Sequence, residues 1–191
     1  MPKLWTDTIE AHRQSVHDAV LDAAATLIAE TGLTAVSMSA VASATGIGRA
    51  TLYKYFPDVG TILAAWHARQ IARHLSELET IATKPAEPMA RLQTVLEAYV
   101  QNAFGSRGHA QGMPHSAAHV AQGRAHLRSF LARLIEEAGN AGTVRRDIAA
   151  DELAAYALAA LDGAAQLTTK AAIGRLLELT LDGMRPTDRG R

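Results

Sequence analysis

The run Thr45-Gly46-Ile47-Gly48-Arg49-Ala50-Thr51-Leu52-Tyr53-Lys54-Tyr55-Phe56 constrains this chain more than any other stretch. Two glycines, one residue apart, stop one helix and allow a tight turn, with Ile47 between them as an apolar plug. In the helix predicted after the turn, Leu52 and Phe56 are four residues apart and share an inward face. Arg49 and Tyr53 make a second such pair, and Ala50 and Lys54 a third. The outward faces therefore carry a guanidinium, an ammonium, a hydroxyl and a phenol, and Ala50 leaves one strip nearly flat. Such donors grip phosphates and base edges, and a small residue lets a helix come close to the groove. The spacing predicts a helix-turn-helix whose second helix meets DNA.

Net charge does not supply that reading. The 19 basic and 19 acidic residues cancel, and residues 1–58 hold four Lys/Arg against six Asp/Glu. DNA binding must rest on where the charges sit, not on their sum. The chain has no cysteine, which excludes disulfides, thiol catalysis and cysteine-based zinc sites. Asp7, Glu10 and Arg13 interrupt any apolar leader-like stretch, and the most apolar run, Leu153 to Leu161, is too short to cross a bilayer. A cytoplasmic protein without membrane contact is expected. With 48% apolar residues and abundant alanine and leucine, the expected fold class is all-α.

Periodicity organises the rest. Pro2 to Thr8 reads as a loose arm, and a first helix as Ile9 to Thr31, with Val16, Val20, Ala23, Leu27 and Ile28 as its stripe and Gly32 as its stop. Ser37 is a good N-cap for a short second helix from Met38. The fourth helix, 58–82, places Val59, Ile62, Leu63 and Trp66 on one side, then Ile71, Leu75, Leu78 and Ala82 on a rotated one. A helix that changes its buried face midway serves two cores. The expected organisation is a three-helix helix-turn-helix domain over 1–57 and a helical ligand-binding and dimerisation domain over 58–191. Beyond Lys84-Pro85-Ala86-Glu87-Pro88 a fifth helix is predicted over 89–104. A Gly/His-rich loop with one short helix around 116–121 follows, then helices over 124–138, 150–167 and 169–184.

Residues 20–56 resemble the DNA-binding domain of the TetR family of bacterial regulators. The resemblance rests on Leu21-Asp22-Ala23-Ala24, Leu27, Gly32, Ser37-Met38-Ser39, Val41-Ala42, Thr45-Gly46-Ile47 and above all Thr51-Leu52-Tyr53-Lys54-Tyr55-Phe56. It implies that Thr51, Tyr53 and Ser37 touch the DNA backbone, while Arg49, Ala50 and Tyr55 approach base edges, beside the outward Lys54. Two positions depart from the family pattern. Gly48 stands where a serine commonly caps the recognition helix. Asp58-Val59-Gly60 replaces a segment whose lysine touches a phosphate, so one expected cation is missing. Such losses lower affinity and salt slope more than sequence preference.

The layout implied by the resemblance makes the remaining helices a sensor. Large side chains and nearby polar groups make Trp66, Gln70, Tyr99, His115, His119 and Phe130 the candidate lining of a small-molecule effector site, although an ordinary aromatic core would use the same residue types. His115 and His119 have a spacing that two metal ligands on a helix can share. No Asp, Glu or Cys lies between residues 98 and 135 to complete such a site, so no metal and no cofactor is expected. Leu153, Tyr156, Ala157, Leu161 and Ala164, with Ile173, Leu176, Leu177, Thr180 and Met184, line the last two helices. Those stripes serve either the chain's own core or a four-helix interface in a homodimer, and two-fold symmetry would suit a palindromic double-stranded operator. Phosphate-loop, nucleophile-elbow and His-Glu-x-x-His motifs are absent, so no enzyme is expected. The expectation is a DNA-binding, ligand-responsive transcriptional repressor. The alternatives are a ligand- or metal-sensing helical protein with weak DNA binding, or a small helical enzyme.

Overall fold

The computed structural model describes the backbone of residues 3–105 and 117–187 and the side chains of residues 9–102 and 121–187. Every regular element among them is helical. The helices are α1 (Lys3–Thr31), α2 (Met38–Thr45), α3 (Arg49–Tyr55), α4 (Val59–Ala82), α5 (Pro88–Gly105), α6 (Ala117–Asn140), α7 (Ala150–Asp162) and α8 (Lys170–Met184). Short 3₁₀ turns occupy Leu33–Ala35 and Gly163–Gln166. The chain separates into two compact units, and the division falls within α4 between Gln70 and Ile71.

The first unit is built on the apolar stripe of α1. Val20, Leu21, Ala24 and Ile28 bury against Val41 and Ala42 of α2, Leu52 of α3, Phe56, and Ile62, Leu63 and Trp66 of α4. Burying a side chain of the Leu or Phe kind contributes about 1.5–3 kcal/mol, so this stripe outweighs the short helices' weak intrinsic stability. Gly32 ends α1 with φ 85°, a backbone state that only glycine adopts without strain. The Ser37 hydroxyl accepts the Ala40 N–H at 3.1 Å and caps α2. Arg69 donates to Asp22 at 2.7 Å and ties α4 to α1.

The second unit packs α5, α6, α7 and α8 with the second half of α4. Leu92 and Leu96, Leu131 and Ile135, Leu158 and Leu161, and Ile173 and Met184 are all buried in its core. Leu78 of α4 joins them, with Ile81 and Ala82 partly buried beside it. Of the second stripe read on α4, Leu78 and Ala82 thus join this core, whereas Ile71 and Leu75 stay half-buried outside it. Thr169 caps α8 by accepting the Ala172 N–H at 3.2 Å.

Three expected boundaries move. Residues 3–8, expected as a loose arm, continue α1, because no glycine or proline interrupts the stretch from Lys3 to Thr31. Gly123, expected to separate a short helix from a longer one, lies inside the continuous α6. A Cβ there would stand 2.5 Å from Ile71 Cγ2, so the glycine is a packing residue that lets α6 approach α4. The seventh helix, expected to reach residue 167, stops at Asp162, where Gly163 donates back to the Ala160 and Leu161 carbonyls and tightens the chain into a 3₁₀ turn.

Candidate nucleic-acid interface

The turn is held by backbone geometry and by one threonine. Gly46 leaves α2 with φ 70°, and the Thr45 hydroxyl donates to the Val41 carbonyl at 2.8 Å. Ile47 is half-buried against the first core, which fixes the turn's depth. Gly48 starts α3 with φ −59°, accessible to any residue, and nothing lies within 4 Å of where its Cβ would be. Its missing side chain therefore opens space and relieves no backbone strain.

From that start α3 buries Leu52 completely, with Phe56 just past its end only 2% exposed. Arg49, Ala50, Thr51, Tyr53 and Lys54 are exposed, and Tyr53 shows half of its surface (51%), a large fraction for an aromatic residue. Tyr55 is half-buried and packs on the core. Ser37 is exposed at the start of α2, and because its oxygen accepts the capping bond, its own O–H is left to donate. Arg49 Nη2 donates to the Ser39 hydroxyl, which joins the first turn of α2 to the first residue of α3. Ser39 is part of the string that carries the resemblance, but its pairing with Arg49 was not readable, because a ten-residue separation across a turn has no periodic signature.

Electrostatics set this surface apart. No Asp or Glu occurs between Glu30 and Asp58, a stretch that contains Arg49 and Lys54. Elsewhere Arg69, Arg91, Arg124, Arg128 and Arg145 are each paired with a carboxylate. Arg49, like Arg13, Arg133 and Arg175, has none among the described residues; its partner is the neutral Ser39. At the far end, Asp58 accepts the Thr61 N–H at 2.7 Å and the Thr61 hydroxyl at 3.0 Å. Those bonds hold its carboxyl below the ordinary carboxylate range and cap α4.

The candidate effector residues are distributed over both units. Trp66 lies in the first core at 8% exposure, its indole N–H without a partner among the described residues, and Gln70 is half-buried where that unit ends. Tyr99 and Phe130 share the second core. The Tyr99 hydroxyl donates to Asp162 Oδ1 at 2.7 Å, and Arg124 pairs with Asp162 Oδ2 at 2.7 Å. Burial and then the Asp162 contact push the Tyr99 phenol well above its ordinary range. His115 and the side chain of His119 lie outside the described residues. Among the described residues, the second unit carries open grooves, two of them on its helices α5 to α8. One, of about 450 Å³ between α5 and α8, is lined by Thr94, Glu97, Gln101 and Lys170 among others. The other, of about 550 Å³ between α6 and α7, includes Arg124, Arg128, Asp151 and Leu158. The four candidates whose side chains are described, Trp66, Gln70, Tyr99 and Phe130, line neither groove. Among the described residues no three His, Asp or Glu side chains gather as metal ligands, and no helix is long and apolar enough to cross a membrane.

A helix-turn-helix with an exposed, carboxylate-free second helix, followed by a separate helical unit, is the arrangement of DNA-binding transcription regulators. Comparison with known proteins gives the family. A model described as "Bacterial regulatory proteins, tetR family" matches residues 20–65, and one described as "Transcriptional regulator SbtR-like, C-terminal domain" matches residues 87–186, more than half of the chain. The chain belongs to the TetR family of bacterial transcription regulators. The HTH-type transcriptional repressor LfrR of Mycolicibacterium smegmatis is 33% identical over 76 residues, 40% of this chain and 36% of that protein. The chain thus spans little more than a third of that relative's length. A TetR transcriptional regulator of Streptomyces coelicolor is 29% identical, with a TM-score of 0.59 over 90% of this chain and 99% of that one. A TetR/AcrR-family regulator of Thermobifida fusca shares the fold with a TM-score of 0.73 at 19% identity, over 90% and 99% of the two chains.

Proposed function

We propose that this protein is a ligand-responsive repressor that binds a palindromic double-stranded operator as a homodimer in the bacterial cytoplasm. In this reading residues 1–57 form the DNA-binding domain and residues 58–191 the effector-binding and dimerisation domain. The observation that carries the reading is the acid-free surface of α2 and α3, on which Arg49, Thr51, Tyr53 and Lys54 all face solvent. Arg49 and Ala50 approach base edges, and Tyr55, half-buried, steadies the helix near them. Ser37, Thr51, Tyr53 and Lys54 hold phosphates, and the open space at Gly48 admits the sugar-phosphate backbone.

α4 connects the reader to the sensor: its first half belongs to the first core and its second half to the second. An effector held by the second unit shifts the two readers' separation by binding one arrangement better than the other, a coupling typically of about 1–3 kcal/mol. The test is operator affinity on the promoter next to the gene, across salt concentrations. The wild type is expected to show a steep salt slope. The Arg49→Ala/Tyr53→Ala double variant, altered only at exposed positions, is expected to lose most specific affinity. Unchanged binding by that variant overturns the site assignment.

A further inference from the structure

We propose that Ser39 is a positioning residue for Arg49 and thereby helps set which base pair the protein selects. The inference rests on the reading above, in which α3 enters the major groove. It starts from the hydrogen bond that Arg49 Nη2 donates to the Ser39 hydroxyl. A free arginine on the first turn of a recognition helix has four rotatable bonds to order when it meets a base edge, and that lost rotamer freedom works against binding. A hydroxyl on the neighbouring helix removes part of this cost in advance, because α2 and α3 are fixed to each other through Val41, Leu52 and the Ile47 turn.

The chemistry of the partner matters as much as its place. A carboxylate at residue 39 would hold Arg49 more tightly, but it would also neutralise the guanidinium and repel phosphate. Serine accepts one N–H and leaves the positive charge intact. Of the five guanidinium donors, one is engaged and four stay available, enough for the two-pronged contact with guanine O6 and N7. The serine's own O–H is left to donate elsewhere. Ser39 and Arg49 are both exposed, and Arg49 shares its face of α3 with the exposed Tyr53 four residues on.

The experiment is selection of the full-length chain on a random-sequence duplex library, with wild type, Ser39→Ala, Ser39→Thr, Arg49→Ala and the Ser39→Ala/Arg49→Ala double variant. The wild type is expected to enrich a G·C pair at one position of each half-site, and Arg49→Ala to erase that enrichment alone. Ser39→Ala should lower enrichment at the same position by about 2- to 10-fold, the worth of one net hydrogen bond, and leave the other positions unchanged. Ser39→Thr, which keeps the hydroxyl, should restore it, and Ser39→Ala should have no effect in the Arg49→Ala background. Thermal unfolding of Ser39→Ala should match wild type, since the residue is exposed and alanine suits a helix. If Ser39→Ala leaves the selected sequence untouched while Arg49→Ala erases a position, Arg49 works unaided and the proposal is overturned. An additive effect in the double variant, or uniform weakening at every position, also overturns it, because Ser39 then touches DNA itself. If Arg49→Ala changes nothing, the reading of α3 fails and takes this proposal with it.

Discussion

At the scale of the residue, Asp58 shows how one side chain serves stability where another function was expected. The family resemblance directs attention to the cation missing after Phe56, whereas the structure uses Asp58 to accept both the N–H and the hydroxyl of Thr61 at the start of α4. Those bonds favour the ionised form, so the folded-state carboxyl titrates below the 3.8 of the unfolded chain. A depressed carboxyl contributes stability that is complete above the unfolded value and disappears as pH falls through the folded one. Asp58→Ala is therefore expected to lower the midpoint of thermal unfolding at pH 7, and its gap from wild type should close as pH drops below 3.8. Thermal unfolding followed by circular dichroism across that range measures it; a gap independent of pH would mean that the carboxylate is not its source. The signal was present in the chain as Asp58 three residues before Thr61, the same arrangement of cap and third helical position that made Ser37 readable. What hid it was that the position invited comparison with a phosphate contact.

Among elements, helices were legible where their boundaries are local. Gly32, Gly46 and Ser37 act through their own backbone or the next turn, and the expected ends at those residues match the structure. Gly123 was not legible, because its reason lies on another helix 52 residues earlier in the chain. A glycine inside a helix costs about 1 kcal/mol relative to alanine, so on propensity alone Gly123→Ala should stabilise α6. Packing argues the opposite. The new Cβ would meet Ile71 Cγ2 at 2.5 Å, on a β-branched side chain with little rotamer freedom to yield. Overpacking of this kind typically costs about 1–3 kcal/mol, enough to outweigh the propensity gain. Gly123→Ala is expected to lower the unfolding midpoint, and adding Ile71→Ala should recover part of the loss, since a smaller residue 71 leaves room for the methyl. Additive losses in that double-mutant cycle would separate the two sites and remove the α4–α6 contact as the cause.

For the whole molecule, the question is what the last two helices have left for a second copy. Most of the apolar stripe read along them is spent within the chain: Leu153, Ala157, Leu161, Ile173, Leu177 and Met184 are buried in the second core. What remains outward is different. Leu179 is 67% exposed and Tyr156 43%. The two belong to one surface, because Tyr156 lies against Gly183, one turn beyond Leu179 on α8; a Cβ at Gly183 would stand 2.7 Å from the Tyr156 hydroxyl. Gly183 thus lets the tyrosine ring lie close on α8 beside the leucine, with Arg175 and the Asp182–Arg185 pair around them. An apolar centre inside a charged rim is the pattern of an isologous interface, which needs roughly 1,200–2,000 Å² in total to be stable. In solution the wild type is expected to show twice the 20.3 kDa mass of one chain by light scattering, and Leu179→Asp the single-chain mass. Because Leu179 is exposed in the single chain, helical content should not change. Joining two readers raises affinity for a full palindrome by about 10²- to 10⁴-fold over a half-site, through effective concentration alone. Leu179→Asp should therefore lose about that factor on the palindrome and nothing on a half-site duplex. A variant that stays dimeric would place the interface elsewhere; one that becomes monomeric yet keeps full palindrome affinity would show that dimerisation does not couple the two readers.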